Sequence, residues 1–241
     1  MKITIYLIAG VFLLFSCKKE SSNPAKTPTS TTVIAKYGNG VNDIEGNKYK
    51  TVILGTQEWM GENLKTSKYN DGTDIPNVTD SIQWNKLTTG AWCNYNNTES
   101  LGKIYGKIYN WYVVSSVTNG NKNVCPTGWH IPSMNEWSIL KKYLGSDTIA
   151  GGKMKDESTN YWESPNVGAT NTSLFTALPG GARDGGYRSR FYGLKSYTAW
   201  WSSTDEEINF TGGCSIDQNS IIAYEYGDSK TSGLSIRCLK D

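Results

Sequence analysis

Cys125-Pro126-Thr127-Gly128-Trp129-His130-Ile131-Pro132-Ser133-Met134-Asn135-Glu136-Trp137 is the stretch on which the reading of this chain turns. Its second half opens a helix. Ser133 and Glu136 have the spacing of a capping box, in which the serine side chain takes an orphan N–H and the glutamate reaches back to the serine backbone. Trp137, Leu140 and Leu144 follow at i, i+3 and i+7 as an apolar stripe, and Gly145 supplies the stop. The spacing predicts a helix over 134–144. The first half, with His130 between Trp129 and Ile131, reads as a short strand in which the histidine is a packed or surface residue.

Upstream, Asn47 to Leu54 is rich in β-formers, ends at Gly55-Thr56 and resumes from Gln57 to Met60, the pattern of a hairpin. Thr66 to Asn97 is polar, with Asp71-Gly72 and Ile75-Pro76 as turn signals, and reads as long loops. Lys107 to Ser116 suits a second helix or a strand equally. Downstream of Gly151 the chain is rich in glycine and aromatics, and short strands are expected at 198–204, 220–226 and 233–239. The composition agrees: 25 Gly, 15 Tyr and 9 Trp suit short strands, turns and aromatic packing better than a helical bundle.

The N-terminus reads as an export signal. Met1-Lys2 is followed by an apolar run from Ile3 to Phe15, the length of a signal core and too short to span a bilayer. It ends in Leu14-Phe15-Ser16-Cys17, which resembles a bacterial lipobox, with Phe15 larger than the usual residue. The resemblance implies removal of 1–16 and acylation of Cys17, a membrane anchor of several acyl chains. The alternatives are an ordinary cleaved signal or an uncleaved anchor. Residues 17–36 are rich in Ser, Thr and Pro and read as a flexible tether with a reach on the order of 25 Å. A domain over 37–241 follows. The expected location is the cell envelope, at the outer membrane, with the periplasmic or surface face left open.

Charge and cysteine usage narrow the partners. With 24 basic against 22 acidic residues there is no basic stripe for nucleic acid. Apart from Cys17 the cysteines are Cys93, Cys125, Cys214 and Cys238, an even number that favours two disulfides in an exported chain, with three connectivities open. A single histidine makes a Cys/His zinc site a poor expectation.

Several stretches together resemble the Fibrobacter succinogenes major paralogous domain. They include Thr56-Gln57-Glu58-Trp59-Met60-Gly61-Glu62-Asn63-Leu64, the Cys125–Ser133 stretch, Leu178-Pro179-Gly180-Gly181, Trp200-Trp201-Ser202-Ser203-Thr204 and Ser235-Ile236-Arg237-Cys238, in order from about Asp43 to Asp241. More distantly the chain is similar to the C-type lectin fold as used by formylglycine-generating enzymes. The resemblance implies an α+β, disulfide-braced, lectin-like domain of short antiparallel strands, about two helices and long Gly-rich loops, with the closing strand beside the first ones. It also implies the pairs Cys125–Cys238 and Cys93–Cys214.

The chemistry expected is binding and not catalysis. One histidine cannot build the iron site of the related sulfoxide synthases, and the close redox pair of the formylglycine-generating enzymes is not reproduced. No Gly-x-Ser-x-Gly elbow, P-loop or His-Glu-x-x-His occurs. Asp-rich turns leave room for a structural calcium that no signature supports, so no cofactor is expected. The candidate ligand-binding residues are Arg183, Asp184, Tyr187, Arg188, Arg190 and Tyr192, a Gly-flanked mixture of forked donors and stacking faces. The bland alternative is a solvated loop whose aromatics pack inward. Trp201 joins them as a candidate; strand alternation lets only one of Trp200 and Trp201 face a given side, and which of the two is exposed stays open. The ligand expected is a glycan or a protein partner; the rivals are a structural or adhesive envelope component and an enzyme with a relocated site.

Overall fold

The computed structural model describes residues 33–186, 188–205 and 210–241. The signal segment, Cys17 and most of the tether lie outside the described residues. Strands β1 (Ala35–Tyr37), β2 (Val41–Asn42), β3 (Lys48–Tyr49), β4 (Thr51–Leu54) and β5 (Gln57–Met60) come first. Helix α1 (Ser81–Asn85), β6 (Trp92–Cys93), α2 (Glu99–Tyr105), β7 (Ile108–Asn110) and α3 (Ser116–Asn119) follow. Then come β8 (Trp129–His130), α4 (Met134–Tyr143) and α5 (Asp147–Met154). The last third is β9 (Gly180–Arg183), β10 (Phe191–Leu194), β11 (Tyr197–Asp205), β12 (Phe210–Asp217), β13 (Tyr224–Ser229), β14 (Gly233–Leu234) and β15 (Leu239–Lys240).

The fold is mixed α+β. One sheet runs β1-β4-β5-β15-β8; a larger one runs β13-β12-β11-β9-β14-β7-β6, with β10 paired to β9. The predicted hairpin is β4–β5, with Leu54 opposite Gln57 across Gly55-Thr56. Gly55 sits at φ +63°, the left-handed region that a tight hairpin turn asks of glycine. Helix α4 begins as predicted: Glu136 N donates to Ser133 Oγ (3.3 Å) and Ser133 N to Glu136 Oε2 (2.7 Å). Trp137, Leu140 and Leu144 are fully buried, and Gly145 takes φ +117°. The closing segment lies beside the first hairpin: Met60 N donates to Cys238 O (3.0 Å), Leu64 N to Ile236 O (2.9 Å), and Leu239 pairs with Trp59.

The elements differ from the expectations at several points. The described residues hold five α-helices, not about two. Within the stretch read as long loops, Asp80 caps α1 by accepting from Gln83 N (2.7 Å), and only Trp84 of that helix is buried, so no apolar stripe announces it. Lys107 to Ser116 divides between a strand, β7, and a 3-10 turn over Trp111–Val113. Strand β12 escaped notice because Gly212-Gly213 interrupts its β-forming residues. Glycine is needed there, since a Cβ at Gly213 would lie 2.4 Å from Trp200 O.

Trp200 and Trp201 do alternate across β11, yet both are fully buried. Trp201 packs in a core with Met60, Tyr109 and Leu234, and Trp200 in a second core with Trp59, Trp137 and Phe175. The strand is covered on both faces, so Trp201 is not available to a ligand.

Cys125 and Cys238 are joined. Cys93 and Cys214, expected as the second pair, are free thiols buried in different apolar clusters. They sit on β6 and β12, some five strand spacings apart in the sheet order, on the order of 24 Å. A disulfide needs Cα atoms within roughly 7 Å. Burial pushes the thiols up, to about 11 for Cys93 and about 12 for Cys214. Among the described residues no helix is long and apolar enough to cross a membrane.

Candidate functional site

The Arg/Tyr stretch forms the turn between β9 and β10, closed by Asp184 N donating to Arg190 O (2.8 Å). Arg183 points away from solvent. Its Nη1 donates to Val78 O (3.0 Å), Nη2 to Thr79 O (3.1 Å) and Nε to Ser189 O (3.3 Å), while its guanidinium lies over the Trp84 and Phe191 rings at 4.4 and 5.0 Å. It is a buried clamp and not a ligand contact: it ties the turn to the loop before α1. Asp184, Arg188 and Arg190 are exposed, and Tyr187 lies outside the described residues. Tyr192 is 38% exposed on β10.

Around Tyr192 the fold assembles residues from three strands. Its ring stacks on Tyr197 of β11 (centroids 5.8 Å), and Tyr197 meets Tyr226 of β13 edge-on (6.2 Å). The Tyr192 and Tyr226 hydroxyls are 3.3 Å apart, and Tyr226 donates to Asp228 Oδ2 (2.6 Å). Burial, followed by the nearby Tyr197 and the bond to Asp228, holds the Tyr226 hydroxyl protonated far above the ordinary range. Tyr224, 39% exposed, shares this face of β13 by alternation. The face that buries Trp201 thus ends in tyrosines with polar tips and a carboxylate. The Tyr224-x-Tyr226-x-Asp228 alternation was the available signal, lost because the strand was placed too early.

The motif residues behind the family resemblance do something different. Asn63 Oδ1 accepts from Trp200 Nε1 (2.8 Å) and from Arg237 Nη2 (3.0 Å) and Nε (3.3 Å), while Asn63 Nδ2 donates to Tyr105 O (2.9 Å) and Ser235 Oγ (3.2 Å). Arg237 also donates to Phe175 O and lies 4.1 Å from the Phe175 ring. Burial pulls its guanidinium down to about 9, still charged at neutral pH. The Trp-Trp-Ser-Ser-Thr motif meets the opening stretch through Ser203 N on Pro132 O (2.9 Å) and Met134 N on Thr204 Oγ1 (3.0 Å). These contacts hold the fold together and are closed to a ligand.

His130 is a bracketed surface residue, with Nδ1 2.7 Å from Asp241 Oδ1 and Nε2 3.0 Å from Glu136 Oε1. Its partners lie on opposite ring nitrogens, so the three do not converge on a metal position. Among the described residues no group of three His, Cys, Asp or Glu side chains could hold a metal. Asp43, in an acidic turn, already accepts from Glu45 N, Asn47 N, Asn47 Nδ2 and Tyr49 Oη.

A concavity of about 750 Å³ lies elsewhere, beside the Tyr37–Asn42 segment of β1 and β2. A second hollow of about 480 Å³ shares Tyr37, Lys50, Thr51 and Glu62 with it. No curated protein and no solved structure matches the chain. Residues 52–240, most of the chain and all of the motif network, match the Fibrobacter succinogenes major domain, and the chain belongs to that family.

Proposed function

We infer that this protein is a lipid-anchored component of the bacterial cell envelope, held at the outer membrane through Cys17, whose lectin-like domain binds a glycan without transforming it. The single observation that carries the ligand is the tyrosine cluster of Tyr192, Tyr197, Tyr224 and Tyr226. Aromatic faces offer apolar contact to sugar C–H surfaces, while hydroxyls and the Asp228 carboxylate give and accept hydrogen bonds in fixed directions. Asp184 is exposed, and its charge is felt at the Tyr192 hydroxyl. The lectin-like reading is supported by the closing segment beside the first hairpin and by the Cys125–Cys238 staple.

The full chain in mild detergent, applied to a glycan array, is expected to bind a restricted set of sugars. Tyr192→Ala should weaken that binding by at least about tenfold, roughly 1.4 kcal/mol. A blank array for the wild type, or undiminished binding by Tyr192→Ala and Tyr226→Phe alike, removes the glycan reading. Metabolic labelling with a fatty-acid analogue tests the anchor: label on the wild type and none on Cys17→Ser is the expected pair.

A further inference from the structure

We propose that the hollow beside β1 is a second binding site, distinct from the tyrosine cluster, and that it takes an acidic saccharide bearing uronic-acid carboxylates. The wall is built firmly. Gly38 N donates to Thr51 O (2.9 Å) and Gly40 N to Thr51 Oγ1 (3.0 Å), so the segment after β1 is fastened down over β4. A side chain at Gly38 would collide with Glu58 Oε1 at 2.2 Å and Thr51 Oγ1 at 2.3 Å; only glycine lets the chain pass this close. The hollow is therefore pre-formed, which lowers the ordering cost of binding.

Its lining has the chemistry of sugar recognition with an excess of positive charge. Tyr37, 61% exposed at the end of β1, offers an aromatic face, and the Asn39 and Asn42 amides offer paired donors and acceptors for hydroxyls. Lys48 and Lys50 line the hollow, and neither forms an ion pair among the described residues. Among the described lining residues the one carboxylate, Glu62, is already engaged: Lys65 Nζ donates to its Oε2 at 2.9 Å. Two unpaired ammonium groups, a stacking ring and amides in one pre-formed trough fit a carboxylated sugar better than a neutral one.

The concave, amide-lined form favours a saccharide over a flat anionic surface, and free phosphate is the other source of negative charge to separate. The test uses the full chain in mild detergent, titrated calorimetrically with homogalacturonan, alginate and heparin oligomers, with carboxyl-reduced homogalacturonan as the neutral match and inorganic phosphate as the competitor. At least one acidic oligomer should bind, with affinity falling as salt rises. Carboxyl reduction, Lys48→Glu/Lys50→Glu, and Tyr37→Ala should each weaken binding at least tenfold, while Tyr192→Ala leaves it unchanged. All three altered side chains are at the surface, and unchanged near-ultraviolet circular dichroism verifies folding. No binding to any acidic oligomer, equal binding of the reduced form, displacement by millimolar phosphate, or loss through Tyr192→Ala but not Tyr37→Ala overturns the proposal. Because Tyr37 and Tyr192 report separately, this site and the tyrosine cluster stand or fall independently.

Discussion

Arg183 shows how a residue type can mislead at the level of single side chains. An arginine between glycines invites a ligand, but three carbonyls and two aromatic faces take up this guanidinium inside the protein. Arg183→Leu strands those carbonyls and should lower unfolding stability by about 3 kcal/mol. Arg188→Ala, at an exposed position, should change it by less than about 0.5 kcal/mol; urea melts of the two variants make the comparison. Nothing local separates the two arginines, since burial depends on where α1 and β10 come to rest. His130 carries a pH dependence. Burial pulls its proton affinity down, but the bonds to Asp241 and Glu136 outweigh that and raise it above the ordinary value near 6.5. The stabilisation from protonated His130 is complete below the unfolded-state value and fades as pH rises through the higher folded one. The Tm difference between wild type and His130→Gln should therefore be greater at pH 6 than at pH 9, and an equal difference at both would refute the bracket.

Among the elements, those with a complete local signal were legible and those defined by distant partners were not. Helix α4 has its cap, stripe and stop within thirteen residues of chain, Ser133 to Gly145, and forms where predicted. Ser133→Ala should cost about 1 kcal/mol in a denaturant melt, the usual worth of an N-cap. The β4–β5 hairpin was equally readable from Gly55-Thr56. Helix α1 and strand β12 were missed for opposite reasons: the first is too short to show a period, and the second is broken by glycines that Trp200 requires. The candidate site suffered similarly. Tyr192 was found from sequence, but Tyr224, Tyr226 and Asp228 join it only because β12 brings β13 into the same sheet, and Tyr37 borders a hollow only because the chain crosses Thr51 at Gly38.

At the level of the whole molecule, one covalent link ties the middle of the domain to its end, and one buried amide, Asn63, ties the beginning there. Opening the Cys125–Cys238 bond, which closes a separation of 113 residues, should remove about 4–5 kcal/mol in the chain-entropy account. Equilibrium unfolding of Cys125→Ser/Cys238→Ser is the direct measurement. Cys93 and Cys214, buried and protonated, should resist alkylation in the native state and become reactive together on global unfolding, as peptide-resolved mass spectrometry would record. Early modification of only one of them would mean that its cluster opens alone.

The sheet order β1-β4-β5-β15 places the first and last strands three spacings apart, about 14 Å. The registers of the three antiparallel pairings put Ala35 level with Leu54 and Gln57, and Asp241 one residue beyond Lys240 on that same edge. The polypeptide therefore comes in and goes out side by side. A domain threaded this way should behave like a cassette: spliced by short linkers into a surface loop of another protein, or with its ends bridged and the chain reopened elsewhere, it is expected to keep its sheet.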